Sequence, residues 1–232
     1  MHASTEHHPA FEEYCECIFE LEEDNVELIQ ARIAERLGVS RASVSEMIKR
    51  MEAEGLINLS GPRIALTEPG RKLAEGIVRK HRLAECFLID VLGLSWSTAH
   101  HEACKWEHVI TDEVEVALSK MLGSPTACPH GNPIPGSGHR NMLLTPLNTI
   151  EVGDSFTVVR ISEELEETTT VYSEEGRRPK FEVVGFNKTF GRQYLDEDDN
   201  VPNQENGTDR FFQFTGKHNV VNRNYGFLVV TA

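Results

Sequence analysis

Residues 123–138, GSPTACPHGNPIPGSG, constrain the fold of this chain more than any other stretch. Pro125, Pro129, Pro133 and Pro135 alternate there with Gly123, Gly131, Gly136 and Gly138. Proline lacks an amide donor and fixes its own φ, so neither a helix nor a sheet ladder survives such spacing. The stretch is a linker or an ordered, turn-rich loop. The pattern before it is helical and the pattern after it favours strands, so the expected class is α+β.

Within the helical part, FEEYCECIFELEED (residues 11–24) places Phe11, Tyr14, Cys15, Ile18, Phe19 and Leu21 on one stripe. Ala31, Ile33, Ala34 and Leu37 predict a short helix stopped at Gly38. Ser40 is a natural N-cap for a second helix through Met51, with Val44, Met47, Ile48 and Met51 on its apolar side. Two short helices across a tight glycine turn describe a helix-turn-helix. Leu56–Leu59 and Arg63–Leu66, flanking Ser60-Gly61-Pro62, predict a hairpin behind it, the wing. Thr67 caps a further helix that ends at Gly93, either broken at Gly76 or continuing past it. Ser97 or Thr98 then caps a last helix, from Ala99 to Leu122. After residue 140, FTVVRI, TTTVY, FEVVGF, FFQFTG and GFLVVT predict strands of a small β-barrel. Residues 187–209 read as a solvated loop. Its acids Asp196, Glu197, Asp198 and Asp199 fit a flexible acidic segment better than a calcium site.

The chemistry concentrates in two helical clusters. His81 and Glu85 are spaced i, i+4, and His100, Cys104 and His108 repeat that spacing with Glu107 beside Cys104. A single histidine on a helix is ordinarily a surface or core residue. Two such clusters, mixing imidazole, thiolate and carboxylate, suit a divalent transition metal. The net charge of −14 argues against general adhesion to nucleic acid. Between residues 30 and 82, however, Lys and Arg outnumber Asp and Glu, as a confined DNA-binding face requires. The five cysteines are scattered and no apolar leader or membrane span is visible, so reduced thiols in the cytoplasm are expected. A metal-dependent hydrolase is disfavoured because H-E-x-x-H is missing: Lys105, not His, follows His101-Glu102 at the required spacing. A metal-buffering protein is the other alternative, and the basic helix pair argues against it.

The strings ARIAERL, VSRASVSEMIKRMEAEGLI, LTEPGRKLA, RKHRLAE, HEACKWEHV, DEVE and GNPIPG resemble the diphtheria toxin repressor family of metal-dependent transcriptional regulators. The likeness covers residues 11–136 and fades after 187. It implies a winged helix-turn-helix over 1–75, a helical dimerisation and metal-binding domain over 76–140, and an SH3-like barrel over 141–232. It implies no enzymatic activity and no small-molecule substrate. The implied partners are a palindromic double-stranded DNA operator and a second copy of the chain, with no membrane. Two metal sites per subunit follow, for Mn²⁺ or Fe²⁺. The ancillary site would take His81, Glu85 and His100, with Glu163 and Glu166 of RISEELEE from the barrel. The primary site would take Cys104, Glu107 and His108 with Glu13 and Glu16 from the first helix. Carboxylates at Glu13 and Glu16 follow the manganese-type pattern and Cys104 the iron-type pattern, and the acids tip the balance toward Mn²⁺. Arg41, Ser43, Ser45, Glu46, Lys49, Arg50 and the wing residue Arg63 would face DNA. Lys49 and Arg50 would hold phosphates, while Ser43, Ser45 and Glu46 would face base edges.

Overall fold

A computed structural model of the chain describes residues 9–139, 145–146, 155–160, 180–182, 211–213, 219–221 and 228–231. It divides into two units, residues 1–140 and 141–232. In the first unit, α1 (Pro9–Glu23) buries Phe11, Tyr14, Cys15, Cys17, Ile18, Phe19 and Leu21. Helix α2 (Gln30–Arg36) and helix α3 (Arg41–Ala53) form the expected pair. Gly38 turns between them at φ +64°, a left-handed value that costs a glycine little. The Ser40 hydroxyl accepts from the Ser43 amide and caps α3. The helix then turns Val44, Ile48 and Met51 inward at a period close to 3.6.

Strands β1 (Ile57–Ser60) and β2 (Arg63–Leu66) form the hairpin, with Ser60 opposite Arg63. The Ile64 amide donates to the Leu28 carbonyl, so the segment before α2 fastens the wing to its own helix pair. Thr67 caps α4 (Glu68–Asp90), which runs unbroken through Gly76. Gly70 is required in its first turn: an added Cβ there would lie 2.0 Å from the Leu56 carbonyl oxygen.

The expected helix from Ala99 to Leu122 is instead two. Helix α5 (Trp96–Trp106) is capped by Ser95, earlier than either Ser97 or Thr98, and α6 (Asp112–Met121) is capped by Thr111. Thr111 followed by Asp112 and Glu113 is a strong N-terminal signal, and it restarts the helix where apolar periodicity alone suggests continuity. The consequence is functional, because His108 lies in the intervening turn and not on the face shared by His100 and Cys104. Helix α6 buries no residue of its own; Val114, Val116 and Met121 on it, and Val109 just before it, are exposed. The Pro/Gly stretch is an ordered loop, with Cys128, His130, Asn132 and Ile134 buried. Leu83 and Cys86 of α4 pack against its Cys128 and Ile134.

In the second unit, β3 (Thr145–Pro146), β4 (Ser155–Arg160), β5 (Lys180–Glu182) and β8 (Leu228–Thr231) form an antiparallel sheet in the order β3-β8-β4-β5. A register shift interrupts β4 against β8 between Val158 and Arg160. Strands β6 (Phe211–Gln213) and β7 (Asn219–Val221) pair separately. The expected strand TTTVY, the acidic loop at 196–199 and the candidate ligands Glu163 and Glu166 lie outside the described residues.

Candidate metal centre

Burying a carboxylate is costly unless charges or hydrogen bonds compensate it. Glu85 on α4 is 0 % exposed, and three imidazoles compensate it. Its Oε1 lies 3.1 Å from His81 Nε2 and 3.1 Å from His100 Nδ1, while Oε2 lies 3.3 Å from His130 Nδ1. His81 Nε2 and His100 Nδ1 are themselves 3.2 Å apart. The other His81 nitrogen, Nδ1, is 2.5 Å from Glu107 Oε2. At the rim, His108 Nδ1 pairs with Glu12 Oε2 at 2.8 Å, and its Nε2 lies 3.2 Å from Glu107 Oε1. Cys104 is exposed by area, but its sulfur turns inward, 3.9 Å from His100 Nε2.

These contacts assemble donors from α1, α4, α5, the turn after α5 and the Pro/Gly loop. Among the described residues, three groups converge closely enough to hold an ion: His81 with His100 and Cys104; Glu85 with Cys128 and His130; Glu16 with His81 and Glu107. Donors bound to one ion at about 2.1 Å stand roughly 3 Å apart. That is close to the spacing of the His81, His100 and Glu85 atoms, so the residues fit a divalent transition ion.

The electrostatics of the cluster follow from its burial and its neighbours. Burial opposes charge on His81, but Glu85, Cys104 and Glu107 hold its pKa well above the ordinary histidine value. His100 shows the same contest, and Cys104 and Glu85 push it up to about 11. Burial alone would raise Glu85, yet His130 and His81 hold it well below the usual carboxylate range. Shielding from water raises the Cys104 thiol, but His100 and His81 outweigh it and bring it down to about 7. Positive charge at the imidazoles and negative charge on Glu85 and Cys104 is the pattern a cation would replace.

Residues 8–64 match the family described as iron dependent repressor, N-terminal DNA binding domain. Residues 67–136 match iron dependent repressor, metal binding and dimerisation domain. The diphtheria toxin repressor of Corynebacterium diphtheriae is 38% identical over 215 residues, covering 90% of this chain and 88% of that one. The chain belongs to the iron-dependent repressor family. The iron-dependent repressor IdeR of Mycobacterium tuberculosis is 52% identical over 126 residues, 54% of this chain and 55% of its own length. The matched stretch thus spans about half of that repressor. Among solved structures, a manganese-dependent transcriptional repressor in complex with manganese aligns with a TM-score of 0.71 at 26% identity, covering 96% and 99% of the two chains. The metal-dependent transcriptional regulator MtsR aligns with a TM-score of 0.72 at 28% identity, covering 97% and 99%.

Within this family framework, the structure distributes the sequence-predicted ligands unevenly. His81, Glu85 and His100 come together as expected. Cys104 groups with His81 and His100, whereas Glu107 groups with His81 and Glu16, so the two expected sites share His81. Glu13 is exposed and stands in none of the groups; its neighbour Glu12 meets His108. One residue along a helix is about 100° of rotation, enough to send a carboxylate to a different face. Cys128 and His130 are additions to the sequence-predicted donors, grouped with Glu85. A Cys-x-His pair inside a Pro/Gly loop is a compact metal-ligand spacing, and it is the local signal that marks them.

On the reader side, Arg41, Ser43, Glu46, Lys49, Arg50 and Arg63 are exposed, and Ser45 is half-buried. Ser43 is partly committed, since its hydroxyl lies 2.8 Å from that of Ser40 within the cap. The Arg50 guanidinium lies over the Phe11 ring, 5.2 Å from its centroid. Among the described residues no helix is long and apolar enough to cross a membrane.

Proposed function

We propose that this chain is a metal-activated DNA-binding regulator, mainly a repressor, of metal-ion homeostasis genes. The observation that carries the reading is the meeting of α1 with the metal core. Glu12 reaches His108, and Glu16 converges with His81 and Glu107. Helix α1 also packs on the helix pair through the same apolar core, so a cation shared between α1 and α4–α5 fixes the reader relative to the core. Such an ion shifts the population toward one arrangement only by binding it better than the others.

The reading assigns residues 1–75 to a winged helix-turn-helix, 76–140 to dimerisation and metal binding, and 141–232 to an SH3-like barrel. One ion joins α1 to Glu107, His108 and Cys104. A second sits on Glu85 with His81 and His100, and Cys128 and His130 enlarge its donor set. Glu163 and Glu166 remain proposed barrel ligands. Mn²⁺ or Fe²⁺ is the proposed activator. The carboxylates of α1 favour Mn²⁺, and the thiolate of Cys104 suits softer ions. The protein acts in the cytoplasm, without catalysis. The exposed apolar residues Val109, Val114, Val116 and Met121, on and beside a helix that buries nothing of its own, support a homodimer, which presents two α3 helices to a palindromic operator.

The test is selection of operator DNA from a random pool with Mn²⁺ or Fe²⁺ present, followed by anisotropy titrations with metal and with chelator. Specific binding is expected only with metal, while circular dichroism stays helical in both. Equal operator affinity in the two conditions removes the metal switch from the reading.

A further inference from the structure

Arg82 is the largest fully buried side chain of the described residues, 1 % exposed. It follows His81 in sequence and precedes Glu85 by less than a helical turn. Its guanidinium fork engages both oxygens of Glu23, at 3.2 Å and 2.6 Å. The same fork donates to the Pro133 carbonyl at 2.5 Å. Glu23 is the last residue of α1, which carries Glu12 in its first turn and Glu16 at its middle. Pro133 belongs to the loop of Cys128 and His130, closed by the Cys128 amide on the Asn132 carbonyl at 2.9 Å. One buried cation therefore touches the end of the reader helix and the loop that holds two metal donors.

We propose that Arg82 is a positioning residue that transmits occupancy of the Glu85–Cys128–His130 group to helix α1. The inference rests on the metal-activated reading above. A guanidinium away from water cannot exchange a lost protein acceptor for solvent, so its orientation follows its protein anchors, Glu23 and the Pro133 carbonyl among them. An ion on Cys128 and His130 fixes the loop and with it the Pro133 carbonyl. The planar fork then holds Glu23, and so the C-terminal end of α1, in one place. With the loop released, the fork has one anchor fewer and α1 is less constrained. This path joins the reader to the core separately from the Glu12–His108 contact.

A double-mutant cycle tests it, with Glu23→Gln, His130→Gln and the double variant of the full chain. Operator affinity is measured at one fixed Mn²⁺ concentration, with bound metal counted for each protein. Each single change is expected to weaken operator binding about tenfold, within the usual range of allosteric coupling. The double variant should fall no more than about twofold below the weaker single, because both changes cut one path. Glu23→Gln should keep its full metal content. By reciprocity, operator DNA should tighten Mn²⁺ binding in the wild type, and by a smaller factor in Glu23→Gln, where only the Glu12–His108 path is left. Losses that multiply to about a hundredfold overturn the link, as does an unchanged operator affinity in Glu23→Gln. Arg82→Lys, which keeps the charge and loses the fork, repeats the cycle if Glu23→Gln melts early. An undiminished metal content in His130→Gln sinks the loop as a metal group, and the link with it. Lowered metal content with multiplying losses sinks the link alone.

Discussion

The reader and the metal core differ in whether they bury charge. Between α2 and the wing, the buried residues are Ile33, Ala34, Val44, Ile48, Met51, Leu56, Ile57 and Ile64, all apolar. The core also buries apolar residues, among them Leu83, Leu88, Ala99, Ala103 and Ile134, but with them it buries His81, Arg82, Glu85, Glu107 and His130. The reader draws its stability from apolar area removed from water, at about 25 cal/mol per Å². It needs no ligand to be complete. The core gains little from such area at these positions. Its charged groups offset one another's desolvation, and the offset depends on protons or on a cation that takes their place. The reader is therefore a constant part, and the core is conditional on its surroundings.

The largest expected effect breaks the core at its shared carboxylate. Glu85→Ala leaves His81 and His130 without their buried counter-charge, and removing one partner of a buried pair costs roughly 3–5 kcal/mol. Ile48→Ala in the reader costs a similar amount, about 2–5 kcal/mol, through lost packing and a cavity. The two differ in their response to Mn²⁺. Metal at about a hundred times its dissociation constant should add roughly 2.7 kcal/mol to the wild type and to Ile48→Ala. Glu85→Ala should lose much of that gain. Denaturant melts with metal and with chelator decide it, and an equal metal-dependent gain in both variants erases the contrast between the regions.

Changing pH tests the same contrast without mutation. His100 is raised in the folded chain from 6.5 to about 11, and His81 is raised as well. A raised histidine contributes stability that is complete below about pH 6.5 and is lost as pH climbs through the folded value. The metal-free chain should thus weaken between pH 7 and 11, and an isolated reader core would not impose that slope. Metal must displace the protons on His81 and His100, so its affinity should rise with pH and binding should release protons. Calorimetric titration in buffers of different ionisation enthalpy measures the release. Binding at pH 7 with no proton release would mean that the imidazoles are neutral in the metal-free chain.

What the sequence made legible follows the same division. In the reader, each boundary rests on a local rule: Ser40 caps, Gly38 turns, Thr67 restarts the helix. The core yields less to local rules. His81, Glu85 and His100 are visible through spacing and through the family resemblance, but Cys128 and His130 reach Glu85 from more than forty positions away. Nothing local distinguishes a loop that folds back onto α4 from one that leads away. The break between α5 and α6 was hidden for a different reason. Apolar residues continue at helical spacing across it, so periodicity outvoted the Thr111 cap. The choice between Glu12 and Glu13 turns on helix rotation, which family position cannot fix to one residue.

That choice gives a smaller effect at the junction of the two regions. Glu12→Gln removes the carboxylate that meets His108, and Glu13→Gln alters an exposed one. The Mn²⁺ midpoint for operator binding should rise by at least about tenfold in Glu12→Gln, in line with disturbed metal surroundings. It should move little in Glu13→Gln. The reverse ranking would mean that α1 rotates when the ion binds and exchanges one carboxylate for the other.

The smallest expected effect lies wholly in the reader. Lys49 is exposed on α3, on the turn after Glu46, and is the proposed phosphate contact. Arg50 is a poorer probe, because its guanidinium also covers Phe11 and its removal loosens α1 against α3. Removing one phosphate contact releases one counterion fewer, so Lys49→Ala should weaken operator and unrelated DNA alike. The slope of log affinity against log salt should fall by about 1. The melting curve should stay as in the wild type, since an exposed lysine contributes little to the apolar core. The metal content should be unchanged, because none of the three donor groups involves α3. An unchanged salt slope would place Lys49 off the DNA face. A loss confined to the selected operator would instead make it a reader of base edges, and would reassign the phosphate contacts to Arg41 and Arg63.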